Sequence, residues 1–171
     1  MEAVLRELVL PVLAWVGAEW EDGTLTVSQE HFASNLIRAR LLSLARLWGR
    51  GSGPVALLAC APGERHDLSL VAFGLVLRSH GWRILFLGAD TPTATLARAA
   101  ESTQPLLTVL TSFDSMLLEA ESTELRRLAK KTPLVLSGPG ATEELCARLR
   151  LTRLNGDLIA AANETARSTS G

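Results

Sequence analysis

The chain has 171 residues, 47% of them hydrophobic and 20% charged, which suits one globular domain, or a domain with a small helical appendage, and excludes collagen-like, disordered and disulfide-scaffold classes. Seventeen basic against eighteen acidic residues leave a formal net charge of -1, so no overall field draws the chain to nucleic acid or to an anionic membrane, and contact with DNA needs some other part. Cys60, in an apolar run, and Cys146, in a helical pattern, have neither metal-type spacing nor the look of a secreted framework, which predicts a reducing cytoplasm.

In chain order, residues 8–18 form an apolar stretch of eleven residues bounded by Arg6-Glu7 and Glu19. It is too short to span a bilayer and lacks a basic leader and a small-residue cleavage site. It reads as a buried helix within 2–18, with Pro11 close to the helix start or at a kink. A second helix is expected over 28–48, with Ser28 as its N-cap and Leu36, Ile37, Leu41, Leu44 and Leu47 at helical spacing. Gly49-Arg50-Gly51-Ser52-Gly53-Pro54 cannot continue a helix, which predicts a helical cap over 1–49 and a separate domain over 54–166. There, short apolar runs at 55–60, 84–88, 106–111 and 133–137 alternate with amphipathic runs at 68–80, 93–102, 115–130 and 142–149. A fifth strand near 152–155, a helix near 157–166 and a polar tail over 165–171, expected to fray, complete the pattern. Strands apolar on both faces and separated by helices predict an α/β fold with a flavodoxin-like (Rossmann-type), doubly wound, five-stranded parallel sheet. Ligands of such a sheet sit at the carboxyl ends of its strands, which singles out the loops 61–67, 89–92, 112–114 and 138–141.

The first of those loops reads Cys60-Ala61-Pro62-Gly63-Glu64-Arg65-His66-Asp67. A carboxylate two residues before an imidazole suits a metal-binding histidine, because a carboxylate that accepts one ring N–H fixes the tautomer and strengthens the other nitrogen as a donor. The same pair also suits a loop histidine beside a helix start. One histidine without a further Cys, His or Asp cluster cannot build a zinc cage, so as a ligand His66 implies a metal that brings its own macrocycle. Thr111-Ser112 at the end of strand three and Ser137-Gly138-Pro139-Gly140 after strand four are small residues that let a bulky ligand approach the backbone, or ordinary turn chemistry.

With these residues the chain resembles the cobalamin-binding domains, which carry Asp/Glu-x-His-x-x-Gly after strand one, Ser-x-Leu after strand three and Gly-Gly after strand four. The matching elements are Glu64-x-His66-x-x-Ser69, Thr111-Ser112-Phe113 and Ser137-Gly138-Pro139-Gly140. The resemblance implies that the cofactor's own benzimidazole leaves the cobalt and that His66 becomes the lower axial ligand. Glutamate at position 64, together with Trp20 followed nine residues later by Glu30-His31, is similar to the CarH-like branch of light-responsive B12 regulators. There a helical cap lies over the upper face of the corrin with the tryptophan against an adenosyl group, a flat apolar wall suited to a nucleoside, while Glu-His offers hydrogen bonds. The resemblance covers residues 2–160 and implies a non-enzymatic sensor of adenosylcobalamin, or of methylcobalamin, that regulates transcription or partner binding without itself touching DNA or membrane.

The sequence departs from that pattern in several places. Ser69 and Ser137 stand where the family has glycines, which adds atoms near the expected path of the cofactor tail, and Glu21 stands where some relatives have a histidine that captures cobalt after photolysis. The family's cap is a four-helix bundle, whereas about fifty residues before strand one suffice for two helices at about 1.5 Å per residue, so the expectation is either a truncated chain or a cap completed by a symmetry mate or a partner. Rival readings are a corrinoid carrier in methyl transfer, a light-insensitive cobalamin-occupancy sensor, and a cofactor-free binding or receiver domain. The receiver reading has Asp90 and Asp114 at strand ends but no paired carboxylates after strand one.

Overall fold

A computed structural model describes residues 1–154 and 157–168, apart from the Leu158 side chain. The chain divides into two compact units, Met1–Leu47 and a second that begins at Trp48.

In the first unit, α1 (Glu2–Val4), a π-helical stretch (Leu5–Val9) and α2 (Leu10–Glu21) follow without a break. The π stretch ends two residues before Pro11, which has no N–H to donate and whose ring crowds the carbonyl four residues back; widening the hydrogen-bond ladder relieves both. Pro11 thus sits in the first turn of α2, directly after the π stretch and inside an unbroken helical run. The second helix, α3 (Val27–Leu44), does not begin at Ser28: its N-cap is Thr26. The Thr26 hydroxyl accepts from the Gln29 N–H at 3.3 Å while Gln29 Oε1 accepts from the Thr26 N–H at 2.9 Å, a reciprocal capping box that outcompetes a lone serine two residues on. Residues 8–18 do not make a buried helix: Val16 is buried, but Leu8 and Trp15 stand exposed. Within its unit α2 has only α3 beside it, and on α3 Leu41 is buried while Phe32, Leu36 and Leu44 are exposed.

The second unit is an α/β domain. Its elements are β1 (Val55–Cys60), α4 (Leu68–Ser79), β2 (Arg83–Gly88), α5 (Thr93–Thr103), β3 (Leu107–Thr111), α6 (Ser115–Ala120), α7 (Ser122–Leu128), β4 (Leu134–Ser137), α8 (Glu143–Leu149), β5 (Thr152–Arg153) and α9 (Leu158–Ser168). All strand pairs are parallel and the order is β2-β1-β3-β4-β5, the flavodoxin-like arrangement. The chain runs outward from β1 to β2, then crosses back to β3 on the other side of β1, so the strand order reverses between β1 and β3. Loops leaving the carboxyl ends of these two strands diverge to opposite faces and open a crevice. One core layer joins Leu57, Leu110 and Leu136 of the sheet to Leu96, Leu125 and Leu145 of the helices. On α4, residues 70–77 are all buried, which is why its sequence is apolar on every side. A Cβ at Gly74 would lie 3.1 Å from a Leu58 methyl and 3.2 Å from the Trp48 ring, whose edge packs on Phe86 with centroids 5.3 Å apart.

Three local features differ from the sequence expectation or exceed it. The single helix expected over 115–130 is broken at Glu121, where the Ser122 hydroxyl takes the Glu119 carbonyl and competes with the backbone ladder. Residues 165–168 continue α9 instead of fraying, with Thr165 and Ser168 hydroxyls bonded to carbonyls one turn back, while 169–171 lie outside the described residues. Strand β5 is two residues long, and Asn155 of the expected strand also lies outside the described residues.

Cys60 and Cys146 are buried and form no disulfide. Burial pushes the Cys146 thiol up, an effect that the Arg153 charge only partly offsets. Neither thiol is expected to react with an aromatic disulfide reagent at about pH 8 in the native protein, and both are expected to react in denaturant. A stoichiometric native reaction in a thiol titration would contradict this packing.

Candidate functional site at the sheet edge

The loop after β1 turns at Gly63, whose φ of +82° suits only glycine without strain, and closes with the Glu64 N–H donating to the Ala61 carbonyl at 2.9 Å. This turn sends the Glu64 side chain inward, leaving it 3% exposed. Its Oε1 accepts the backbone N–H of His66 at 2.8 Å and lies 2.6 Å from His66 Nδ1; its Oε2 accepts the Phe113 N–H at 2.6 Å and lies 3.2 Å from the Ser112 hydroxyl. Burial alone would raise the Glu64 carboxyl, but the donors from Phe113 and His66 overrule it and hold the group below its usual range. Glu64 is therefore ionised at neutral pH and has no proton to give, so Nδ1–H of His66 is the donor, which in a neutral imidazole leaves the lone pair on Nε2. The His66 side chain is 74% exposed, and the Phe113 ring lies beside its imidazole with centroids 5.1 Å apart. The arrangement is a single oriented imidazole that presents Nε2 as an electron-pair donor at the edge of the sheet.

Ser112 links this loop to the end of β4. Its N–H donates to the Ser137 carbonyl at 3.1 Å and its carbonyl accepts from the Gly140 N–H at 2.9 Å; Thr111, the last residue of β3, accepts from the Ala61 N–H at 2.9 Å. The glycines after β4 are required by chain packing against chain. A Cβ at Gly138, where φ is +87°, would lie 2.4 Å from the Ser112 carbonyl oxygen, and one at Gly140 would lie 2.6 Å from the Asp114 carbonyl carbon.

The residues singled out in the sequence thus fall into two groups. Glu64, His66, Thr111, Ser112, Ser137, Gly138 and Gly140 converge through these hydrogen bonds at the carboxyl ends of β1, β3 and β4. Ser69 is the second residue of α4, half-buried. Trp20, Glu30 and His31 belong to the helical unit: Trp20 is 46% exposed near the end of α2, and in the first turns of α3 Glu30 binds His31 Nδ1 at 2.5 Å and the Ser34 hydroxyl at 2.6 Å. His80 caps α4 ahead of Gly81 and contacts the Asn163 amide oxygen at 2.5 Å. Arg127 and Lys131 pair with Glu124 and Glu101, a solvated helix face, and Trp48 and Trp82 are buried while Trp15 is exposed. Asp114, offered as a strand-end acid, is the N-cap of α6, accepting the Met116 N–H at 2.8 Å. Sequence reasoning missed the Phe113 ring beside His66 and the contacts of Asp90; no spacing rule signals either, because both depend on how neighbouring loops meet.

Among the described residues no group of three or more His, Cys, Asp or Glu could hold a bare metal ion. A lone oriented imidazole fits a metal that carries its own ring of ligands and lacks one axial nitrogen. No helix of the described residues is long and apolar enough to cross a membrane.

Residues 1–44 match the B12 binding domain family. The chain is 36% identical over 157 residues to the HTH-type transcriptional repressor CarH of Myxococcus xanthus, covering 88% of this chain and 52% of the repressor. It is also 36% identical over 151 residues to the repressor CarA of the same organism, covering 86% of this chain and 51% of that protein. The chain therefore spans about half the length of the curated relatives it matches. In fold it is similar to the monomethylamine corrinoid protein of Methanosarcina barkeri, with a TM-score of 0.70 at 16% identity over 92% of this chain and 78% of that one. A cobalamin-binding protein from Desulfitobacterium hafniense gives 0.59 at 17% identity over 91% and 77%. By sequence the chain is similar to the CarH and CarA repressors over most of its length, and its first 44 residues match the B12 binding domain family.

Proposed function

We propose that the chain is a cobalamin-binding sensor module, non-enzymatic and responsive to light through adenosylcobalamin. The observation that carries this reading is the buried Glu64 carboxylate 2.6 Å from His66 Nδ1, which leaves Nε2 as the nitrogen that would hold the cobalt. Ser69, Thr111, Ser112, Ser137, Gly138 and Gly140 line the path of the cofactor's lower side, and Trp20, Glu30 and His31 serve its upper side. When bound, adenosylcobalamin supplies a cobalt–carbon bond that light breaks. The chain's own part is to hold the cobalt through His66, to shield the upper ligand with the Trp20 indole, and to pass a change at that ligand to the helical unit. The exposed side chains of Leu8, Trp15, Phe32, Leu36 and Leu44 support an output by association, with a second copy or a partner covering them. The 36% identity to two repressors supports a role in transcriptional regulation, inside the cell and without direct DNA contact by these residues.

The test is to mix the protein with adenosylcobalamin in the dark, desalt it, record the absorption spectrum and elution volume, and repeat after green illumination. Retained cobalamin with a protein-specific spectral change and a shift in size is expected. Retention with no light response would favour the carrier or occupancy sensor, and no retention would sink the reading. Trp20→Ala is expected to keep the corrin but to lose the preference for adenosylcobalamin over methylcobalamin; equal selectivity in variant and parent would refute the role of Trp20.

A further inference from the structure

Asp90 follows Gly88 at the carboxyl end of β2 and adopts φ +48°, a left-handed backbone that side chains other than those of Asn and Asp seldom take up. Such a conformation persists where surrounding contacts over-determine it. Here its carboxylate Oδ1 accepts the Gly63 N–H at 2.7 Å, and its own N–H donates to the Glu64 carbonyl at 2.7 Å. The next residue reinforces the tie: the Thr91 N–H donates to the Cys60 carbonyl at 3.2 Å and its hydroxyl donates to the Gly88 carbonyl at 3.0 Å. Two hydrogen bonds of opposite direction therefore clamp the loop after β2 onto residues 63 and 64. That is the turn whose geometry sends the Glu64 carboxylate inward, toward the His66 ring.

We infer that Asp90 is a positioning residue for His66: by holding the Gly63–Glu64 turn it fixes where the Glu64 carboxylate meets the imidazole, and hence which ring nitrogen faces outward. The inference deepens the proposed function and rests on it for the identity of the ligand, though its structural part concerns the protein alone. A free imidazole in water favours the Nε2–H tautomer, so the Nδ1–H form at His66 is maintained by the turn. Loosening the turn returns the ring toward its ordinary preference. Asp90 has not been placed among the residues touching cofactor and acts through Gly63 and Glu64.

The experiment compares the parent with Asp90→Gly and Asp90→Asn. Glycine accepts φ +48° without strain and keeps the backbone N–H bond to Glu64, so it removes only the carboxylate; asparagine restores an acceptor oxygen and also tolerates this backbone. The first readout uses the ligand-free protein: the 15N resonances of the His66 ring at about pH 8.5, above the ordinary histidine range, which report the tautomer. The parent is expected to show the Nδ1–H form, Asp90→Gly a shift toward Nε2–H, and Asp90→Asn the parent pattern, with all three unfolding at similar temperatures. The second readout is affinity for adenosylcobalamin in the dark, expected to fall about tenfold in Asp90→Gly and to recover in Asp90→Asn. An unchanged tautomer in Asp90→Gly, or failure of Asp90→Asn to restore it, would overturn the inference. Absence of cobalamin binding by the parent would instead overturn the proposed function, and the ligand-free comparison would still decide the role of Asp90.

Discussion

His66→Ala is expected to abolish coordination of cobalt by the protein while leaving the fold nearly untouched. The imidazole is 74% exposed, so its loss removes little packing, and Glu64 keeps the backbone donors of His66 and Phe113 that satisfy its buried carboxylate. Stability should therefore change by no more than about 1 kcal/mol. The corrin, by contrast, loses its axial nitrogen, and affinity should fall on the order of a hundredfold, with the spectrum reverting to that of cobalamin without a protein ligand. Thermal unfolding and a dark absorption titration check the two halves separately. Unchanged axial ligation in the variant would remove His66 from the account.

Gly138→Ala is expected to act in the opposite way, on the fold first. The new methyl would sit 2.4 Å from the Ser112 carbonyl oxygen and 2.8 Å from Thr111 Oγ1, and φ of +87° is strained for any residue with a Cβ. Backbone cannot give way as a flexible side chain would, so the loops after β3 and β4 must part, at a cost of about 3 kcal/mol. For a domain of this size that lowers Tm on the order of 10 °C. Because Ser112 and Phe113 both contact Glu64, the displaced loop also disturbs the carboxylate that orients His66. Gly17→Ala is the internal control: a Cβ there meets nothing within 4 Å on a helix, and the change should be neutral or stabilising by up to about 1 kcal/mol. Equal unfolding temperatures for Gly138→Ala and the parent would contradict the packing described at this edge.

Much of the α/β domain was legible because its strands are short apolar runs bounded by turn residues, and hydrophobic burial on both faces leaves such runs few alternatives. Strand β1 falls on 55–60 as read, and the other strand starts shift by one residue at most. What escaped depends on local competition between hydrogen bonds. The N-cap expected at Ser28 gives way to a capping box between Thr26 and Gln29, and the break at Glu121 turns on one hydroxyl choosing a carbonyl. The buried helix expected over 8–18 failed because apolar composition states what a helix can bury, without stating that a partner element is there. At the candidate site, Glu64 and His66 were legible from spacing on a strand-end loop. The Phe113 ring beside His66 and the positive φ of Asp90 were not, since each arises where two loops distant in sequence meet.

The central claim, that His66 donates the nitrogen below cobalt, is tested most directly by paramagnetic resonance of the one-electron-reduced cob(II)alamin form, bound in the dark to protein grown with 15N-labelled histidine. The unpaired electron lies along the axial direction, so the ligand nitrogen splits its lines, into triplets for 14N and doublets for 15N. The account predicts doublets in the labelled parent and their loss in labelled His66→Ala, where His31 and His80 carry the same label. Triplets in the labelled parent would mean that the cofactor's own base stays on the metal, and would contradict the account.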